Sequence, residues 1–171
     1  MLNLDGFGKY AIYHGDLKTS DNRKAVEYLI EIFKYKRDYK LIIASDSNEA
    51  FVKNAIGKSE NIEFIFLKSF THLQELLKGA HINLVISFQK SGTKLKLINS
   101  LFNSRFCIIN ENIIDDEEVA KFCIRITDRD ELISKIDALI AMPYTDYETR
   151  KNSLENYLSD RKNAEKLHDL I

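Results

Sequence analysis

Short apolar runs alternate along the chain with longer amphipathic stretches, and this alternation restricts the possible folds more than any other feature. Six runs occur, each nearly continuous in apolar residues: Tyr10–Tyr13, Leu41–Ala44, Ile62–Phe66, Leu84–Ile86, Phe106–Ile109 and Phe122–Ile126. Such runs are typical of parallel β-strands that are covered on both faces. The chain is therefore predicted to be an α/β protein.

The stretches between the runs carry apolar residues at helical spacing. In residues 22–36 an apolar stripe passes through Ala25, Leu29 and Ile32. Further stripes predict helices over 48–57, 71–79, 93–103 and 130–142. Strand and helix in alternation predict a Rossmann-like three-layer sandwich with a parallel sheet of about six strands. Ligands of such sheets bind beyond the carboxyl ends of the strands, which directs attention to the loops there.

Pro143 marks a break in this pattern. We expect a Rossmann-like domain over residues 1–143, followed over 144–171 by polar, amphipathic C-terminal helices. These helices pack either on this domain or on a preceding domain that the sequence does not include. A length of 171 residues suits one domain.

Composition argues against several classes of function. The formal net charge of -1 gives no general attraction to nucleic acid or to an anionic membrane. The first residues lack the pattern of a signal peptide, and no apolar run approaches the ~20 residues that span a bilayer. Cys107 and Cys123 lie in apolar runs and are interpreted as buried thiols of a reduced protein. We therefore expect a cytoplasmic protein.

Motifs for cofactors and metals are missing from the sequence. There is no glycine-rich dinucleotide fingerprint, no P-loop and no nucleophile elbow. The histidines are scattered, at His14, His72, His81 and His168. We therefore expect no cofactor and no metal site, and the sequence assigns no catalytic residue.

The turn Ser91-Gly92-Thr93-Lys94 is the strongest candidate site. It follows an apolar run and precedes a predicted helix, whose first turn presents free N–H groups and a partial positive charge. Gly92 allows a close approach to a ligand. Lys94 and Lys96 are unfavourable in a first helical turn, and a bound phosphate would reverse that penalty. The alternative is that both lysines extend into water.

Other candidate residues follow the ends of predicted strands. Gly15 and Asp16 follow the first strand, Ser45 follows the second, and Lys68 follows the third. His14, at the end of the first strand, is either half buried or at the cleft. Asn99 lies three residues after Lys96, on the same predicted helix face, where an amide can bond a sugar hydroxyl. For each of them, a turn, capping or solvent-facing role is the alternative. Ser100 and Asn103 are predicted to extend the polar side of that helix.

Four segments carry a family resemblance: YHGDLKTSDNRKAVEYLIEIF, KLIIASDS, NIEFIFLKSFTHLQELLKGAHINLVIS and SGTKLKLINSLFNSRFCIIN. In this order they resemble the C-terminal, donor-nucleotide half of group-one (mannosyltransferase-like) glycosyltransferases of GT-B fold. The resemblance extends from about Lys9 to Ile171. It implies diphosphate oxygens near Gly92, Thr93 and Lys94, and a base beside Lys68.

The sequence also departs from the family pattern. Ser91 and Asn99 stand where the family has two glutamates, of which the first contacts the transferred sugar and the second the ribose or nearby hydroxyls. An asparagine keeps the hydroxyl contact of the second. Asp16 stands at the position of an arginine that faces the diphosphate, and the family's nearby lysine has no clear equivalent.

The resemblance implies the donor-binding half of a sugar-nucleotide-dependent glycosyltransferase, of the kind used in bacterial-type polysaccharide synthesis. Its partners would be a nucleotide sugar and an N-terminal acceptor domain of the full-length protein, which would also provide any peripheral membrane contact. Because transfer needs donor and acceptor in one closed cleft, the isolated domain is expected to be inactive. One alternative is a non-catalytic, glycosyltransferase-like binding or scaffolding module, which Ser91 and Asp16 favour. Another is a free-standing Rossmann-like regulator.

Overall fold

The computed structural model describes residues 3–90, 95–114 and 116–159. Its strands are β1 (Ala11–His14), β2 (Leu41–Ser45), β3 (Ile62–Phe66), β4 (Ile82–Val85), β5 (Phe106–Asn110) and β6 (Ile124–Ile126). They form one sheet in the order β3-β2-β1-β4-β5-β6, and every neighbouring pair is parallel. The prediction of a parallel sheet of about six strands is confirmed.

Helices cover both faces of this sheet. Those in the described residues are α1 (Ser20–Phe33), α2 (Glu49–Ile56), α3 (Phe70–Gly79), α4 (Leu95–Asn103), α5 (Glu117–Ala120), α6 (Arg129–Ile140) and α7 (Tyr147–Tyr157). Buried residues of α1, α2 and α6 form one apolar cluster with the sheet, and those of α3 and of α4 belong to two others. The layers are those of a Rossmann-like α/β fold, as predicted.

Two element ends differ from the sequence prediction for identifiable reasons. The last strand begins at Ile124 rather than Phe122, because the N–H groups of Phe122 and Cys123 bond the carbonyls of Val119 and Ala120 in the turn that ends α5. Helix α1 ends at Phe33, before the predicted Lys36. There Nδ2 of Asn61 donates to the carbonyls of Phe33 and Lys36, both at 2.9 Å.

Helix α7 packs against the domain that precedes it. Leu154 is fully buried in the apolar cluster that contains α4, and Tyr147 is buried in a cluster with Leu4 and Tyr144. Arg150 lies between these two anchors and is also buried. The described part of the C-terminal helices therefore covers this domain, and the domain boundary at residue 143 stays a prediction.

Candidate functional site

The centre of the sheet contains a topological switch point. Strands β1 and β4 are neighbours, and the chain leaves β1 toward α1 on one face but leaves β4 toward α4 on the other. The two connections therefore diverge beyond the carboxyl ends of the strands. In open α/β sheets this divergence creates the crevice in which ligands bind.

The turn after β1 forms one wall of this crevice. The Asp16 carboxylate is exposed and accepts hydrogen bonds from Lys18 N (2.9 Å) and Ser47 Oγ (3.2 Å). The pKa of Asp16 lies below its ordinary value, first because of the bond from Lys18 N–H. A Cβ added at Gly15 would lie 3.1 Å from the Asn22 side chain. The turn therefore exposes the Asp16 carboxylate, and a side chain at Gly15 would crowd Asn22 of α1.

Ser45 and Lys68 follow the next two strands, with different exposure. Ser45 is fully buried, and its Oγ lies 3.2 Å from Ser47 N and Ser47 Oγ, so that its hydroxyl shapes the turn after β2. Lys68 is exposed at the end of β3, two strands from β1, or about 10 Å at the usual strand spacing. Two aromatic side chains flank Lys68: Phe66 is 48% exposed and Phe70 is 55% exposed. Sequence reasoning did not single out these aromatics, although their closeness to Lys68 is visible in the sequence.

Helix α4 forms the opposite wall. The Lys96 ammonium lies 3.2 Å from Asn22 Oδ1 and 5.0 Å from the centre of the Tyr13 ring, so it faces the turn after β1. Asn99 is half-buried, and its backbone carbonyl accepts from Asn103 Nδ2 at 2.9 Å. Lys96 and Asn99 thus lie on the helix that borders the crevice. Residues 91–94, which contain the strongest sequence candidates, lie outside the described residues.

Ser100 and His14 form a buried contact beneath the crevice. The prediction that Ser100 lies on the polar side of α4 is wrong, because its side chain is fully buried. Its Oγ donates to Lys96 O at 2.6 Å and lies 3.2 Å from His14 Nε2. Burial, and next the nearby Lys96 ammonium, lower the pKa of His14 to about 4. His14 is therefore neutral at physiological pH.

Asp21 is a site residue that sequence reasoning missed. Its carboxylate is 7% exposed and accepts hydrogen bonds from Ser87 Oγ at 2.6 Å and Phe88 N at 2.7 Å. Thr19 caps α1, because its side chain accepts a hydrogen bond from Asn22 N, so Asp21 is not needed as the cap. One signal could have found Asp21: it lies four and eight residues before Ala25 and Leu29, on the buried stripe of the helix.

The described part of the chain contains neither a metal-binding cluster nor a membrane-spanning helix. In residues 3–90, 95–114 and 116–159, no three His, Cys, Asp or Glu side chains group closely enough to hold a metal ion. Within these ranges, no helix has the length and apolar character needed to cross a membrane.

Comparison with known proteins identifies the class of fold. No family model and no curated protein matches the chain. Among solved structures, the C-terminal domain of a group-one glycosyltransferase, LpcC from Francisella tularensis, is 18% identical with a TM-score of 0.57, and the match covers 88% of this chain and 83% of that one. A glycosyltransferase from Rickettsia africae is 17% identical, with a TM-score of 0.67 and coverage of 91% and 46%.

A third structure, a UDP-forming trehalose-phosphate synthase from Burkholderia xenovorans, is 11% identical, with a TM-score of 0.61 and coverage of 86% and 39%. The chain therefore spans most of an isolated C-terminal domain but less than half of the two longer proteins. Because the sequence identities are only 11–18%, these matches show a shared fold and nothing beyond it. The chain has the fold of the C-terminal domain of group-one GT-B glycosyltransferases, which confirms the resemblance at that level.

Proposed function

We propose that this chain is the donor-binding half of a glycosyltransferase that uses a sugar nucleotide. The observation that carries the proposal is the crevice at the switch point between β1 and β4, in a fold shared with glycosyltransferase C-terminal domains. The nucleotide diphosphate would lie at the start of α4, near Ser91, Gly92, Thr93 and Lys94, with Asn99 on a ribose or sugar hydroxyl. The acceptor would bind a preceding N-terminal domain, so the isolated chain would bind donor without transferring sugar.

The exposed aromatics beside Lys68 support a place for the base. Phe66 and Phe70 present apolar rings at the carboxyl end of β3, on the same edge of the sheet as the crevice. A nucleobase can stack on such rings, whereas a phosphate gains nothing from them. The base would therefore lie toward β3 and the phosphates toward β4.

A second candidate function is a binding or scaffolding module of the same fold that transfers no sugar. It is favoured by Asp16, whose exposed carboxylate borders the crevice and would repel a diphosphate. Titration calorimetry with UDP, GDP and their sugars separates the two functions. Binding of one nucleotide at micromolar to millimolar concentration supports the donor site, and failure of all of them at millimolar concentration supports the module.

Replacing Lys94 with alanine tests the phosphate position. We expect Lys94→Ala to weaken binding of the nucleoside diphosphate by about 1–2 kcal/mol, the value of one charge-assisted contact, and to leave binding of the nucleoside nearly unchanged. Lys58→Ala removes an exposed lysine at the opposite edge of the sheet and is the matched control. Equal weakening of nucleoside and diphosphate binding by Lys94→Ala would contradict phosphate contact.

Replacing Phe70 with alanine tests the base position. Loss of a base–aromatic stack is expected to weaken nucleoside and nucleotide binding alike, by about 1–3 kcal/mol. Tyr35→Ala is the control, because Tyr35 is an 80% exposed aromatic that follows α1 at the amino edge of the sheet. Both variants are compared by calorimetry with uridine and UDP. If Phe70→Ala and Tyr35→Ala bind as tightly as the unaltered protein, the base does not stack at this place.

A further inference from the structure

The buried carboxylate of Asp21 joins helix α1 to the chain that follows strand β4. A buried carboxylate is costly unless hydrogen bonds compensate for the lost water. Asp21 receives them from Ser87 Oγ at 2.6 Å and Phe88 N at 2.7 Å, two successive residues just beyond β4. Hydrogen bonds to a carboxylate are short and strong, so the contact fixes this segment firmly.

The same segment is held from its other side by strand β5. Ser87 N donates to Asn110 Oδ1 at 3.2 Å, and Asn110 Nδ2 donates to Ser87 O at 2.6 Å. Asn112 Nδ2 also donates to Ser87 O, at 3.0 Å. Ser87 is therefore bound between α1 on one side and the end of β5 on the other, which fixes where the chain leaves the sheet.

That point of departure lies at the switch point, where the chain after β4 borders the crevice. We infer that Asp21 is a positioning residue for the ligand site: the hydrogen bonds that it accepts from Ser87 and Phe88 hold the segment after β4 in the conformation that receives a ligand. This inference rests on the proposed donor site and adds a residue to it. Asp21 positions the segment through its hydrogen-bond-accepting oxygens and not through its negative charge, because a negative charge beside the crevice opposes binding of an anionic ligand.

An asparagine can reproduce most of this arrangement. In Asp21→Asn the side-chain carbonyl still accepts from Phe88 N. The new amide group donates to Ser87 Oγ, and the single hydroxyl proton of Ser87, which in the unaltered protein can reach Asp21 or Gln89 O, then donates to Gln89 O at 3.0 Å. Alanine at position 21 removes both bonds. The pair Asp21→Asn and Asp21→Ala therefore separates hydrogen bonding from charge.

The test is a calorimetric titration with UDP of the unaltered chain and these variants. We expect Asp21→Ala to weaken binding at least about tenfold, and Asp21→Asn to bind within about threefold of the unaltered chain. Asp130→Ala, which removes an exposed aspartate from the first turn of α6, is the matched control and should change nothing. Unchanged binding by Asp21→Ala overturns the inference. So does equal weakening by both variants at position 21, because charge would then be required.

Hydrogen exchange at the Phe88 amide tests the contact without any ligand. The amide is expected to exchange about tenfold faster in Asp21→Ala and at a nearly unchanged rate in Asp21→Asn. If UDP, GDP and their sugars all fail to bind the unaltered chain at millimolar concentration, the proposed function fails, while the Phe88 exchange rates still decide whether Asp21 holds the segment. If Asp21→Ala does not fold, Ser87→Ala removes one of the two bonds and should give faster exchange at Phe88 and weaker UDP binding. Exchange at Phe88 that is the same in all variants overturns the inference.

Discussion

Replacing Arg150 with alanine is expected to lower the free energy of unfolding by about 4 kcal/mol, within the range for cavities combined with unpaired buried groups. The side chain is 1% exposed and donates from its two terminal nitrogens to the carbonyls of Arg105 and Ser104. Its guanidinium carbon also lies 4.8 Å from the centre of the Tyr144 ring. Alanine would leave both carbonyls without this donor and would open a cavity behind α7.

Urea unfolding followed by circular dichroism measures this effect. Arg125→Ala is a suitable control, because Arg125 is exposed and its ion pair with Glu117 lies at the surface. Surface ion pairs contribute about 0–1 kcal/mol, so the control should unfold close to the unaltered protein. A loss below about 1 kcal/mol in Arg150→Ala would mean that α7 does not depend on this contact. A loss near the expected value would show that the helix belongs to the stable unit.

The sheet could be predicted from the sequence because its signal is local. Strands buried on both faces are apolar at nearly every position, as in Leu41–Ser45, and the helices between them repeat apolar residues every three or four positions. Because strands and helices alternate along the chain, only a few sheet topologies are possible. Strand ends were less predictable. Ile82 begins β4 in register with Ala11 and Phe106, two partners that are distant in sequence.

The contacts at the candidate site could not be predicted from the sequence, since they join residues that are far apart in the chain. Asp21 and Ser87 are 66 positions apart, and His14 and Ser100 are 86 apart. Each polar residue on its own also fits a capping or solvent-facing role. Only the packing of α1 and α4 on opposite faces of the sheet shows that Asp21 and Ser100 turn inward. The turn at Ser91–Lys94 rests on sequence pattern and resemblance, and its role stays a proposal.

Acidification from about pH 7 to about pH 4.5 is expected to destabilise the protein by about 2 kcal/mol through His14 alone. His14 has a pKa of about 4 in the folded protein against 6.5 as its ordinary value, because it is buried and faces the Lys96 ammonium. The unfolded chain therefore takes up a proton at a higher pH than the folded chain does. The stability that neutral His14 provides is complete above pH 6.5 and is lost as the pH falls toward 4.

His14→Gln isolates this contribution, because glutamine does not titrate and can still bond Ser100 Oγ. Urea unfolding of both proteins over this pH range should show about 2 kcal/mol less acid destabilisation in the variant. His81, whose pKa is also lowered by burial, titrates in both proteins and cancels in the difference. Parallel pH profiles would contradict a neutral, buried His14. Because His14 adds no positive charge to the crevice at neutral pH, its titration should leave UDP binding unchanged between about pH 6 and 8.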